Sequence, residues 1–261
     1  MTQSKGGGES AQSTAQLWEL ADAVEMAQAH PYTFYRPSEQ AIALLRPGHC
    51  VKLIFRIPSP MPGAPSAERM LVILQRIDRD RCYGELHNDP VWIRSLSCGA
   101  PIEFTTRHII AVDFDDPVPD PTLPYRKRCI ASERVLSGAA PVGFAARAEP
   151  MYDQDSGWRI WAAEETAEHV LDETNSQFVS LGAVLGQDDS FVKILAESSP
   201  CLFQRTTDGG QYERVDLSKM PIASQTEFSR PSTPPISTGE KTERLLSGLR
   251  APRLTTRDVR Q

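Results

Sequence analysis

The chain has 261 residues, 40% of them hydrophobic, which is enough for one or two modest cores with tails. A formal net charge of −6 argues against a general nucleic-acid binder, which needs a surplus of Lys and Arg on one face, and suits a basic partner. No apolar run reaches the length of a membrane span. The polar stretch Met1 to Ala15, with Gly6-Gly7-Gly8, lacks the basic-then-apolar order of a secretory signal, so a cytoplasmic protein is expected.

Residues 1–15 read as a disordered N-terminus, and a first α+β domain is expected over 16–115. Leu17, Leu20, Ala21, Val24 and Ala27 lie at helical spacing from Gln16 to Ala29, with Ser13 or Thr14 as N-cap and His30-Pro31 as the stop. A second short helix is expected from Ser38 through Ile42, Leu44 and Leu45 to Pro47-Gly48. Strand periodicity follows in Cys50 to Ile57 and Glu68 to Ile77, separated by a Pro/Gly/Ser loop and expected to pair. A turn at Arg79-Asp80 leads into a strand from Cys82 to His87. Asn88-Asp89-Pro90 should open a short helix through Ile93 and Leu96, before strands at Ile102 to Thr105 and His108 to Phe114. The sum is a sheet of about five strands.

Arg46-Pro47-Gly48 ahead of Val51-Lys52-Leu53-Ile54-Phe55, then Glu68-Arg69-Met70, Gly84 to Pro90 and His108-Ile109-Ile110, make this half resemble a small uncharacterised bacterial α+β domain. The resemblance spans Tyr32 to Phe114. It implies a fold, since its motifs are mostly turns and strand ends.

Residues 116–127 form an acidic, Pro-rich linker. The second domain is expected over 128–217, with strands at Cys129 to Ala131, Val142 to Arg147, Trp158 to Ala162, Gln177 to Leu181 and Cys201 to Arg205. Helices are expected over Glu164 to Glu173 and Ser190 to Glu197, and Gly209-Gly210 marks a hairpin turn. From 218 to 261 the chain is Ser/Thr/Pro-rich and then basic, too poor in large apolar residues to offset ordering entropy, apart from a short helix at Glu240 to Leu249. The fold class is therefore α+β: two small domains, each a mainly antiparallel sheet with short helices, and a disordered C-terminal tail.

Nothing in the chain assembles a reaction centre by spacing. Asp155-Ser156-Gly157 lacks the Gly-x-Ser-x-Gly elbow of a serine hydrolase and reads as an acidic turn with Gly157 at positive φ. The five cysteines, Cys50, Cys82, Cys98, Cys129 and Cys201, form no Cys-x-x-Cys pair, and the five histidines no His-x-x-x-His pair. No metal, cofactor or catalytic residue is expected.

Val142 to Arg147, followed by Asp153-Gln154-Asp155-Ser156-Gly157-Trp158-Arg159-Ile160-Trp161 and Glu164-Glu165, resembles a bacterial immunity-protein domain family with an Asp-Ser-Gly-Trp core. Members of that family sit beside interbacterial toxin genes. The resemblance implies a non-enzymatic protein that binds and neutralises a cognate effector toxin by occlusion, the toxin being a type VI secreted, basic protein from an adjacent gene, and a nuclease by preference.

Carboxylates are dense in this half: Asp153, Asp155, Glu164, Glu165, Glu168, Asp172, Asp188 and Asp189. Helix N-termini favour acids without any functional purpose, so a solvated face is one reading. The other is an acidic patch around an aromatic anchor, as a tight interface for a basic protein requires. Strand alternation puts Trp158 and Trp161 on opposite faces, so Trp158 is expected in the core and Trp161 near the surface beside Glu164 and Glu165. A non-catalytic regulatory or small-molecule-binding module using the N-terminal sheet is the alternative function, and an enzyme built on His87, Asp89 and His108 is a third.

Overall fold

The computed structural model describes residues 18–58, 60, 62–166, 169, 172, 174–206 and 210–216. The order expected or denied to the two chain ends, including the caps Ser13 and Thr14 and a helix at Glu240 to Leu249, lies outside these residues. The chain divides into two compact units between Tyr125 and Arg126. Each is a six-stranded sheet with short helices, the α+β class that the periodicities predict.

The first unit is built on strands β1 (Glu19–Leu20), β2 (Cys50–Arg56), β3 (Ala67–Asp78), β4 (Arg81–Leu86), β5 (Pro101–Thr105) and β6 (Ile109–Val112). Strands β1 to β5 lie in chain order, and β6 returns across a 3-10 turn to pair with β2, beyond the stretch that β1 occupies. The alternation of β2 explains the core: Val51, Leu53 and Phe55 enter it beside Met70, Val72 and Leu74 of β3 and Ile102 and Phe104 of β5. The two segments expected to pair do so, from Cys50 opposite Ile73 to Arg56 opposite Ala67.

Two helix expectations in this unit are corrected. The helix placed from Gln16 begins at α1 (Ala23–Ala29), because the chain before it is extended. Glu19 and Leu20 pair with Arg56 and Phe55, Trp18 packs its ring 5.0 Å from that of Phe55, and Asp22 caps the N–H groups of Val24 and Glu25. The helix placed after Asn88-Asp89-Pro90 is a loop, with a turn bond from the Leu96 N–H to the Ile93 carbonyl in place of a helical ladder. Side chains take its backbone donors: Glu68 accepts from Val91 at 2.7 Å and Ile93 at 2.9 Å, and Asp89 accepts from Cys98 at 3.0 Å. Helix α2 (Glu39–Ala43) forms where expected, capped by Ser38. Asp116, in the acidic Pro-rich stretch, accepts hydrogen bonds from the hydroxyls of Tyr35 and Ser38 and from the N–H groups of Ser38 and Val118.

In the second unit the strands are β7 (Arg128–Ser132), β8 (Phe144–Arg147), β9 (Asp155–Trp161), β10 (Ser176–Ser180), β11 (Cys201–Arg205) and β12 (Tyr212–Arg214). Their order is β10-β7-β9-β8-β11-β12, antiparallel throughout except for the parallel pair β7 and β9. Two one-turn helices follow strands directly, α3 (Glu133–Leu136) after β7 and α4 (Leu181–Leu185) after β10, each capped by the last serine of its strand. Neither was expected. The segment read as a helix from Ser190 is a 3-10 turn, Val192–Ala196, and half of the helix placed over Glu164 to Glu173 lies outside the described residues.

Strand β9 is buried along its whole length, which is why simple alternation misplaces its second tryptophan. One face carries Trp161 in a cluster with Ile130, Ala146 and Leu202, flanked by Phe144, Phe178 and Val215. The other carries Trp158 and Ile160. The buried side chains of α3 and α4, Val135, Leu181, Val184 and Leu185, lie outside the Trp161 cluster, which places those helices over the Trp158 face. With both faces covered, Trp158 is 1% and Trp161 4% exposed. The expectation that Trp161 lies at the surface is thus corrected.

Candidate functional site

The Asp-Ser-Gly-Trp segment sits where the chain leaves β8, turns through residues 148–154 and enters β9. Its four residues are buried, and each shapes the turn. Asp155 accepts the N–H of Met151 at 3.1 Å and of Gly157 at 2.8 Å, while its own N–H reaches the Tyr152 carbonyl at 3.0 Å. Ser156 donates its hydroxyl to the Arg128 carbonyl on the neighbouring strand at 2.7 Å. Gly157 has φ +78°, and a Cβ there would lie 2.1 Å from the Ala148 carbonyl oxygen, so only glycine fits. Trp158 fills the core below. The turn that results presents Met151, Tyr152, Asp153 and Gln154 to solvent.

The expected carboxylates fall into two groups at opposite ends of the sheet. Asp153 and Asp155 are at the start of β9. Glu164 and Glu165 follow its other end, about 20 Å away at the rise of an extended strand. Asp188 belongs with the second group, since it accepts from the N–H of Val142 at 2.9 Å and Gly143 bonds the Trp161 carbonyl. Asp172 does too, because its carbonyl accepts the Asn175 N–H at 3.0 Å and Ser176, the next residue, pairs with Ser132 at the far end of β7. A single patch combining all of them with Trp161, as the sequence suggested, does not form.

Several of these acids are occupied internally. Asp155 is 5% exposed and spent on the turn. Glu165, 9% exposed, accepts the Ala162 N–H at 2.9 Å and faces the His169 ring nitrogen Nε2 at 3.7 Å. Asp188 bridges Arg205 at 2.8 Å and accepts from the Ser190 N–H. Burial alone would raise its pKa, but the hydrogen bonds from Ser190 and Val142 and the Arg205 charge hold it below the usual carboxylate value. Asp172 is exposed and held low by the N–H and hydroxyl of Thr174. Glu164 is exposed, 3.8 Å from Arg134. Asp153 and Asp189 are exposed, and Glu168 lies outside the described residues.

Among the described residues no three His, Cys, Asp or Glu side chains are grouped to hold a metal ion, and no helix is long and apolar enough to cross a membrane. The triad His87, Asp89 and His108 is not brought together. His87 follows the end of β4 that pairs with Pro101, whereas His108 follows the opposite end of β5, with Nδ1 accepting the Thr105 N–H.

A buried Asp-Ser-Gly-Trp turn thus joins two central strands of a mixed sheet whose strands run from Arg128 to Arg214. Residues 129–216 match the family model of the immunity protein Imm33 domain. The Imm33 match covers nearly all of the described second unit and none of the first. No curated protein and no solved structure matches the chain. This match supports an immunity-protein domain in the C-terminal half and an immunity role in general. The exposed apolar residues that sequence reasoning missed in this unit are Met151 and Tyr152, which show no periodicity and stand out only on the turn that holds them.

Proposed function

We propose that this protein is a cytoplasmic immunity protein that binds a cognate antibacterial effector toxin one to one and neutralises it by occlusion, without catalysis. The Imm33 match over residues 129–216 carries this reading. The toxin is proposed to be a type VI secreted protein from an adjacent gene, basic around its active site and most simply a nuclease. Exposed carboxylates would then compete with phosphates for its cations. Asp153, Glu164, Asp172 and Asp189 are the exposed acids offered for contact, with Asp188 at the same end as the last three and Glu168 outside the described residues. Asp155, Glu165 and Trp161 act as supports from inside.

Tight association with a toxin needs fast encounter and slow release, which complementary charge and a desolvated anchor supply. The test is co-expression with the product of the adjacent gene. Host survival together with a stable one-to-one complex is the expected result. Death of the host and no complex would overturn the reading.

A further inference from the structure

We propose that the tip Met151-Tyr152-Asp153 is the hot spot by which the immunity domain grips its toxin, and that the surface it fits is an apolar pocket edged by a Lys or Arg side chain. The proposal rests on the toxin-binding reading above and names the contact.

Exposure is the first observation. Met151 is 41% and Tyr152 39% exposed, and among the described residues of the second unit they are the only large apolar side chains left in solvent to that degree. Adjacent in sequence, they form one apolar point rather than scattered surface, and an aromatic with a polar tip is the kind of residue that dominates interface energetics.

Rigidity is the second. The Asp155 carboxylate ties Met151 to Gly157, the Asp155 N–H ties back to Tyr152, and the Arg128 N–H fixes Gln154 at 2.7 Å. The Tyr152 ring rests edge-on against Phe178, with centroids 6.1 Å apart. The tip is thus ordered when the domain folds, and little further ordering remains on binding. Because Asp155, Ser156, Gly157 and Trp158 are all buried, they cannot touch a partner; the tip is what they build.

Charge is the third and identifies the partner. Residues 149–154 contain no cationic side chain. Two cations beside the tip are engaged internally, while Lys127, next to Arg128 in sequence, is exposed. Arg128 lies over the Phe178 ring and bonds its carbonyl, and Arg147 bonds the carbonyls of Ser156 and Glu197. Glu149 is taken by the Ser199 hydroxyl. Asp153 is exposed beside the two apolar side chains with no bond of its own among the described residues, so a partner cation next to the pocket completes it.

The experiment titrates the full chain and its variants against the purified product of the adjacent gene, with circular dichroism confirming the fold of each. The wild type should form a one-to-one complex. Tyr152→Ala should weaken it about thirtyfold or more, the loss that defines a hot spot. Asp153→Lys should slow association and weaken binding about tenfold, with a smaller salt dependence. Val91→Ala and Trp92→Ala, which alter an exposed apolar loop of the first unit, should leave affinity unchanged. Folded tip variants that bind like the wild type, or loss of binding at Trp92 instead, would overturn the tip while leaving toxin binding intact. A wild type that does not bind at all would overturn both.

Discussion

The ring of Phe144 lies nearly parallel to that of Trp161, with centroids 5.5 Å apart and planes inclined by 18°. The two residues face each other across the antiparallel register of β8 and β9, so the stack closes the end of the sheet opposite the Met151-Tyr152 tip. Trp161 is therefore a packing residue. Replacing it by Ala should destabilise the second unit by about 3–5 kcal/mol, and replacing it by Phe by clearly less, read from urea unfolding midpoints. A loss under about 1 kcal/mol for Trp161→Ala would contradict its enclosure.

Gly157 and Gly99 separate two costs of adding a methyl group. Both have positive φ, but a Cβ at Gly99 meets nothing within 4 Å, whereas at Gly157 it meets the Ala148 carbonyl oxygen. Gly99→Ala should cost about 1 kcal/mol from backbone strain alone. Gly157→Ala should cost more than twice that and disturb the tip, and equal unfolding midpoints for the two variants would refute the difference.

Acid should weaken the protein through Asp116 and Asp188. At both, burial raises the pKa, and hydrogen bonds to the ionised form outweigh it: from Ser38, Tyr35 and Val118 at Asp116, and from Ser190 and Val142, with the Arg205 charge, at Asp188. Both folded-state values thus lie below the ordinary 3.8. A depressed carboxyl contributes stability that is complete above its unfolded value and lost as pH falls through the folded one. Urea midpoints should hold from pH 7 to about 5 and then fall toward pH 3. Asp116→Asn should flatten that fall in the first unit.

The five cysteines should react in order of burial. Cys98 is exposed, Cys50 is half-buried, and Cys82, Cys129 and Cys201 are enclosed, with burial and the nearby Asp80 pushing the Cys82 thiol up to about 11. A thiol reagent at pH 8 should modify Cys98 rapidly and Cys50 slowly, leaving the other three until the protein is unfolded. Fast reaction of three or more thiols in the native protein would show that these cores open readily.

How much of this was legible beforehand depends on how many faces of each strand are covered. In β2 the core face reads directly as Val51, Leu53 and Phe55, and its pairing with β3 follows from pattern alone. In β9 alternation says only that Trp158 and Trp161 diverge. It cannot say that helices and neighbouring strands enclose both. Helices α3 and α4 are too short for any 3.6-residue period to show, and their one signal is a serine closing a strand, Ser132 or Ser180. The Asn88 loop misleads because Asn and Asp serve equally as helix caps and as acceptors for a loop, and only Glu68, twenty residues upstream, decides between them. The tip was invisible because Met151 and Tyr152 look like any apolar pair until Asp155 is seen to hold them out.

The two sheets differ in how far apart in sequence their partners lie, and this bears on synthesis. In the first unit β2 pairs with β3, β3 with β4 and β4 with β5, so most of that sheet can zip up from local hairpins as the chain emerges, with β6 alone returning to β2. In the second only β8 with β9 and β11 with β12 are such neighbours; β7 waits for β9 and β10, and β8 waits for β11 at Cys201–Arg205. A nascent chain that has not yet delivered residue 205 leaves the backbone of Phe144–Arg147 as an open strand edge, available to other chains. Any fragment ending between β10 and β11 should therefore aggregate, although it contains the whole Asp-Ser-Gly-Trp turn.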